Sequence, residues 1–223
     1  MPRVVTTNEK EKYPENPILP KTSELKVIEI QKLENDFSCE GVYLKDTDLQ
    51  GSKATDVSFY SSLIKNIDLS NSLLKGFKLN DIVAEKLNLA NANLEESNLD
   101  RTSITNSRLT GLHMSGARLR DITFKNCKVD LSLFRFSKLK NVYFESCILT
   151  DTDFVGAELE NVIFFDSDMT NTDFSQAKMK KVNICGSKIE GIKIALEQLR
   201  SLTVDYSQTI YIVRLMGVTN KGY

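Results

Sequence analysis

The chain has 223 residues, 41% of them apolar, and a net charge of −1. That is enough apolar material for one sizeable core, and the near-neutral balance gives no electrostatic drive toward nonspecific nucleic-acid binding. No run of eighteen apolar residues exists, so no membrane-spanning helix is predicted. A zinc site is argued against by the lack of any CxxC pair and by a single histidine, His113.

Residues 1–23 are rich in Pro, Glu, Lys, Asn and Thr and read as a mobile N-terminal tail. They lack a signal peptide's apolar core, which points to a cytoplasmic protein. Residues 24–40, ELKVIEIQKLENDFSCE, carry β-branched Val27, Ile28 and Ile30 but sit out of phase with the five-residue pattern beyond them. They read as an irregular strand or cap over the open end of the next unit.

From Leu44 to Val204 every fifth residue is apolar in one unbroken phase, and only Ala54 and Ala84 are small. Two residues earlier runs a second class, small or apolar, as in Val42, Ser52, Ser97, Val142 and Thr152. A helix needs apolar residues at i, i+3, i+4 and i+7, and a half-buried strand needs strict alternation. A chain that turns a corner every five residues fits instead, with two residues in five pointing inward. A longer period of twenty joins Phe124, Phe144 and Phe164, and, offset by ten, Phe134, Phe154 and Phe174. A square coil of four repeats stacks each set, with the two Phe ladders on opposite walls and successive coils about 4.8 Å apart. Cys127 and Cys147, also twenty apart in the second class, then lie one above the other as buried thiols. A disulfide between them is possible by distance, but nothing suggests secretion. Cys39 and Cys185 have no obvious partner.

The form written as Ala92-Asn93-Leu94, Ser97-Asn98-Leu99, Thr152-Asp153-Phe154 and Thr172-Asp173-Phe174 resembles the pentapeptide-repeat proteins. The resemblance implies an all-β fold, a right-handed quadrilateral parallel β-helix over residues 41–204. About eight coils at about 4.8 Å make a rod about 40 Å long.

After Val204 the period changes. Asp205-Tyr206-Ser207 offers an N-cap, QTIYIVRLM has helical spacing through Ile210, Val213 and Met216 with Leu215 adjoining, and Gly217 is a stop signal. A helix of about ten residues does not stand alone. It must pack on its own last coil or on another subunit. Glu197 falls in the inward class, so the final coil is predicted to be distorted. This layout of residues 205–223 resembles the loopless members of the Qnr-type branch, in which two subunits join end to end. The resemblance implies a homodimer through Ile210, Val213, Leu215 and Met216; a simple monomeric cap is the alternative.

Charge is banded. Residues 101–140 carry +7, residues 141–177 carry −8 and residues 178–223 carry +5. The acidic band holds Glu145, Asp151, Asp153, Glu158, Glu160, Asp166, Asp168 and Asp173. Taken modulo twenty, these fall on all four walls and form a belt. Asp153, Asp168 and Asp173 precede a repeat centre, where Asp serves turn hydrogen bonds. Glu145, Asp151, Glu160 and Asp166 have no such local reason and are the better candidates for a partner surface.

An enzyme is argued against by the filled interior, by a solitary His113 for which no Ser–His or Cys–His pair can be drawn, and by the lack of a phosphate-binding glycine loop. No cofactor is expected. The resemblance implies a non-catalytic, DNA-mimicking bacterial protein that binds DNA gyrase or topoisomerase IV and confers fluoroquinolone resistance, with acidic side chains standing in for phosphates. Self-immunity against a gyrase-directed toxin shares that mechanism. The alternative is an interaction scaffold with an unrelated partner. In neither case is direct contact with nucleic acid or a membrane expected.

Overall fold

The computed structural model describes residues 12–218, and its organising unit is the corner. From Asp36 to Gly191 every fifth residue stands in the left-handed region, with φ from 40° at Arg101 to 76° at Gly186. Asn, Asp and Gly tolerate that backbone best, and they occupy most of these positions. Each corner swings the chain by one wall, and four corners close a coil. From Ser38 onward the register between coils is twenty residues, as in Leu99↔Leu119, Leu119↔Leu139 and Leu139↔Leu159, with every pairing parallel. The result is a parallel β-solenoid of about nine turns.

The four walls are of two kinds. Strands such as Asn98–Thr105, Arg118–Lys125, Lys138–Glu145 and Glu158–Phe165 run across two adjoining walls and around the corner between them. The other two walls pair as strands only in the first coils, as in Lys53–Thr55 with Leu73–Lys75, and further along through isolated bridges such as Asn93↔His113↔Leu133↔Asp153. Their corners are tight turns, in which the Thr152 and Ala157 N–H groups donate to Leu149 and Phe154 carbonyls three residues back. Residues before the centre on these walls fold their side chains back over the turn: Asp153 accepts from the Val155 N–H at 2.8 Å and Asp173 from the Ser175 N–H at 2.8 Å. This is the role expected for them.

The interior is the two inward classes. Phe124, Phe144 and Phe164 stack face to face at 4.9 and 5.0 Å, and Phe134, Phe154 and Phe174 at 5.1 and 5.2 Å. The two ladders meet edge to face at the centre, with Phe154 and Phe164 at 5.9 Å. Buried hydroxyls of the second class donate to carbonyls one coil away, Thr152 to Val129 and Thr172 to Leu149. Cys127 and Cys147 are buried free thiols, each reaching a carbonyl of the preceding coil. The hydrogen bond with Cys127, and burial, push the Cys147 thiol far up.

Both ends are closed. Strand Lys26–Ile28 pairs with Val42–Leu44, strand Ser38–Glu40 pairs with Ser58–Tyr60, and Ile30 and Leu33 between them are buried. The twenty-residue register therefore already holds at Ser38, ahead of the phase read from Leu44. At the far end the predicted distortion at Glu197 is a one-turn helix, α1 (Leu196–Leu199), which buries Gln198 instead. The Gln198 amide donates to the Phe174 and Ala177 carbonyls at 2.7 and 2.6 Å. Ten residues on, Gln208 does the same for Ile184 and Ser187, both at 2.7 Å. At Ala177 and Ser187 these side chains replace the backbone N–H groups that a further coil would have supplied, and at Phe174 and Ile184 they add to the turn N–H three residues on.

Residues 1–11 of the expected tail and 219–223 of the C-terminal segment lie outside the described residues. Residues 12–20 lie extended against one wall of the solenoid.

Candidate interaction surface

Stacking at twenty residues decides what the acidic belt becomes. The bands flanking it are basic, so six of the eight belt residues meet a cation about one coil above or below. Glu145 receives Lys125 at 2.8 Å. Glu158 lies between Lys138 and Lys178 at 3.2 and 3.1 Å, and Glu160 between Lys140 and Lys180 at 3.3 and 2.7 Å. Asp153 pairs with Arg135, Asp168 with Lys188 and Asp173 with Lys193. Hydrogen bonds from Lys178 and Lys138 hold the Glu158 carboxyl below its ordinary range, and Lys180 and Lys140 do the same for Glu160. Asp151, at a left-handed corner, and Asp166, which accepts from Ser146 Oγ at 3.3 Å, form no ion pair among the described residues. Of the four better candidates, Glu145 and Glu160 are thus charge-compensated, and Asp151 and Asp166 stand apart from the lattice.

The C-terminal helix α2 (Thr209–Leu215) docks on the last coil. Tyr211, Ile212 and Leu215 pack against the core, and the Tyr211 hydroxyl accepts the Gly191 N–H at 2.6 Å. The residues expected at a dimer joint therefore divide. Leu215 is turned onto its own subunit, Val213 is half-buried, and Ile210 and Met216 are 55% and 54% exposed. Tyr206 and Leu196 are exposed at the same end. Gly217, φ +80°, ends the helix, and its N–H donates to Arg214.

One expectation is corrected. His113 has a serine beside it: Nε2 lies 3.0 Å from Ser115 Oγ and 3.4 Å from Glu95 Oε1. The positions flanking the centre of one repeat, two residues apart, point outward together. Both contacts use the same ring nitrogen. A relay needs the acid on the other nitrogen, where it fixes the tautomer and orients the base, so the trio lacks that arrangement. Among the described residues no group of three or more His, Cys, Asp or Glu could hold a metal ion, and no helix is long and apolar enough to cross a membrane.

The feature that sequence reading missed lies on a turn wall. Leu131 and Phe136 occupy consecutive corners of one coil, with φ of 59° and 55°, and are 57% and 64% exposed. Left-handed backbone costs an L-residue about 1–2 kcal/mol, and neither side chain gains full burial in return. Half-buried Leu133 lies between them. The Phe136 ring rests on the next coil at Gly156, where an added Cβ would come within 2.6 Å of it. The signal was present as two bulky apolar residues in a slot otherwise held by polar residues and glycine, mostly Asn, Asp and Gly.

Residues 84–149 match the family model described as "Pentapeptide repeat region". No curated protein matches. Among solved structures, HetL, a pentapeptide repeat protein involved in heterocyst differentiation regulation from Nostoc sp. strain PCC 7120, is 12% identical. That alignment covers 71% of this chain and 85% of that one, with a TM-score of 0.46. A trypsin-treated form of QnrB1, a plasmid-mediated fluoroquinolone resistance protein, is 16% identical over 88% of this chain and 96% of that one, with a TM-score of 0.39. The family match lies inside a solenoid whose five-residue corner continues unbroken on both sides of it, so the repeat architecture of the matched residues 84–149 extends through the coils that flank them.

Proposed function

We propose that this protein is a non-catalytic interaction rod that binds a partner protein through the wall carrying Leu131, Leu133 and Phe136. The observation that supports this is the pair of bulky, exposed apolar side chains held in left-handed corners. Strained residues that their own fold does not need are those a contact surface retains. The axial ion-pair lattice fits the same role, since it neutralises the surface around that patch. Site-specific photocrosslinkers at 131 and 136, with one at Lys128 as control, test the reading in cells. A partner captured from the first two positions and lost in Leu131→Asn/Phe136→Asn supports it. Equal capture by that double variant refutes it.

A narrower reading names the partner as DNA gyrase or topoisomerase IV, with the rod acting as a DNA mimic at the enzyme and protecting it from fluoroquinolones. Asp151 and Asp166, outside the ion pairs, favour this version, and the compensation of the other six belt carboxylates favours the broader one. Supercoiling by purified gyrase, titrated with the protein with and without a fluoroquinolone, separates them. A homodimer through the C-terminal end is part of the same proposal, supported by exposed Ile210, Met216, Tyr206 and Leu196.

A further inference from the structure

On the wall opposite Leu131 and Phe136, the chain already binds a peptide, and the peptide is its own. Residues 12–20, KYPENPILP, run down the corner formed by Asp81, Arg101, Asp121, Asn141 and Asn161. Asn161 Nδ2 donates to the Lys12 carbonyl at 2.5 Å. The Glu15 N–H donates to Asp121 Oδ1 at 3.2 Å, and the Ile18 N–H to Asp81 Oδ1 at 2.9 Å. Each step of three residues along the peptide crosses two coils.

That ratio is a geometric match. A polyproline-II helix has three residues per turn and rises about 3.1 Å per residue, so one turn climbs about 9 Å. Two coils of hydrogen-bonded strands span about 9.6 Å. The prolines fall at Pro14, Pro17 and Pro20, one per turn. All three are half-buried, as is Leu19, whereas Tyr13 and Ile18 are 56% and 69% exposed. The residue following a proline supplies each donated N–H.

The wall is built for this occupant. The buried polar corner residues of the solenoid are Asp81, Asp121 and Asn141, all beneath the peptide, while polar residues at the other corners are more exposed. Asn141 Nδ2 donates to Asp121, and the Arg101 guanidinium grips Asp81 with two bonds, 2.7 and 2.6 Å. The carboxylates are thereby held with an oxygen facing the peptide N–H groups. Arg101, between them, lies within the field of Glu15. Tyr143 meets Tyr13 edge to face at 5.6 Å.

We propose that this wall is a recognition face for polyproline-II peptides of the pattern Pro-x-x-Pro-x-x-Pro with an acid after the first proline, and that residues 12–20 are its resident, displaceable occupant. Few bonds anchor the segment, and two of its apolar side chains face solvent, so it belongs among the parts of the fold that open first. As an intramolecular ligand it competes at an effective concentration in the millimolar range. The wild-type protein therefore masks the site until a partner's proline-rich segment displaces the strap.

The test uses the full chain and a fluorescein-labelled synthetic peptide of residues 12–21, read by anisotropy. Two strap variants serve, Pro14→Gly/Pro17→Gly/Pro20→Gly and Ile18→Pro. Neither touches a coil residue, and an unchanged circular dichroism spectrum confirms the fold. Both should bind the peptide at least tenfold more tightly than the wild type. A peptide with the central proline moved by one residue should not bind, and adding Asp121→Ala should abolish the gain. Equal binding of native and shifted peptides, or no gain in either variant, overturns the proposal. So does a concentration-dependent dimer that excess peptide fails to dissolve, which would make the occupant a second copy of this chain.

Discussion

Removing the Phe144 ring tests the inward assignment where the structure is most demanding. Phe144 is fully buried, stacked between Phe124 and Phe164 at 4.9 and 5.0 Å and edge-on to Phe154 at 6.4 Å. Phe→Ala in a core costs about 3–5 kcal/mol from lost transfer energy plus the cavity. Stacked or edge-to-face pairs add about 0.5–1.5 kcal/mol each beyond burial, which places Phe144→Ala toward the upper end. With a urea m-value of about 2 kcal/mol/M, the midpoint should fall by about 2 M. Asp153→Ala is the comparison. It removes the turn bond to Val155 and a pair with half-exposed Arg135, a loss of about 1–2 kcal/mol. Because each coil contacts only its neighbours, hydrogen exchange should show the Phe144 defect concentrated in residues 118–165. The reasoning is refuted if Asp153→Ala is as destabilising as Phe144→Ala, since Phe144 would then not be a central rung.

Gln208→Ala strips the Ser187 carbonyl of its side-chain donor, leaves Ile184 with the Ser187 N–H alone, and should cost roughly 1–3 kcal/mol, with hydrogen exchange quickening in residues 182–204 and unchanged near residue 84. Glu158 and Glu160 have carboxyl pKa values depressed in the fold by paired lysines. Their stabilisation is present above the ordinary glutamate value of about 4.3 and is lost as pH falls from there through the lowered folded values. Melting temperature between pH 6 and 3 should show this loss, and Lys178→Met/Lys180→Met should flatten the slope, as high salt should. Ile210→Glu/Met216→Glu should convert a dimer to a monomer in sedimentation velocity, and a monomeric wild type would remove the end-to-end joint.

Much of the fold was legible because the solenoid is local in sequence. A corner every five residues writes an apolar residue every five, and coils of twenty write Phe124, Phe144 and Phe164 at that interval. The Asp before a centre was legible for the same reason, since its hydrogen bond closes within three residues. The positions of Leu131 and Phe136 were legible in principle, but their meaning required knowing that every corner is left-handed. The helix was found near its place, yet the face turned to the core, Tyr211, Ile212 and Leu215, depended on how the last coil meets it.

Long-range chemistry was decided by the tertiary structure alone. The sequence determined eight carboxylates between two basic bands, but only the vertical stacking of Glu158 between Lys138 and Lys178 decided that they neutralise one another. The Gln198 and Gln208 caps likewise arise from where the coil carries terminal side chains, across separations of 21 to 24 residues. Residues 12–20 show the limit most clearly. Their composition is that of a chain unable to build its own core. What orders them is a second periodicity, of two coils to three residues, written in residues 81 to 161 and visible only when both are in one place.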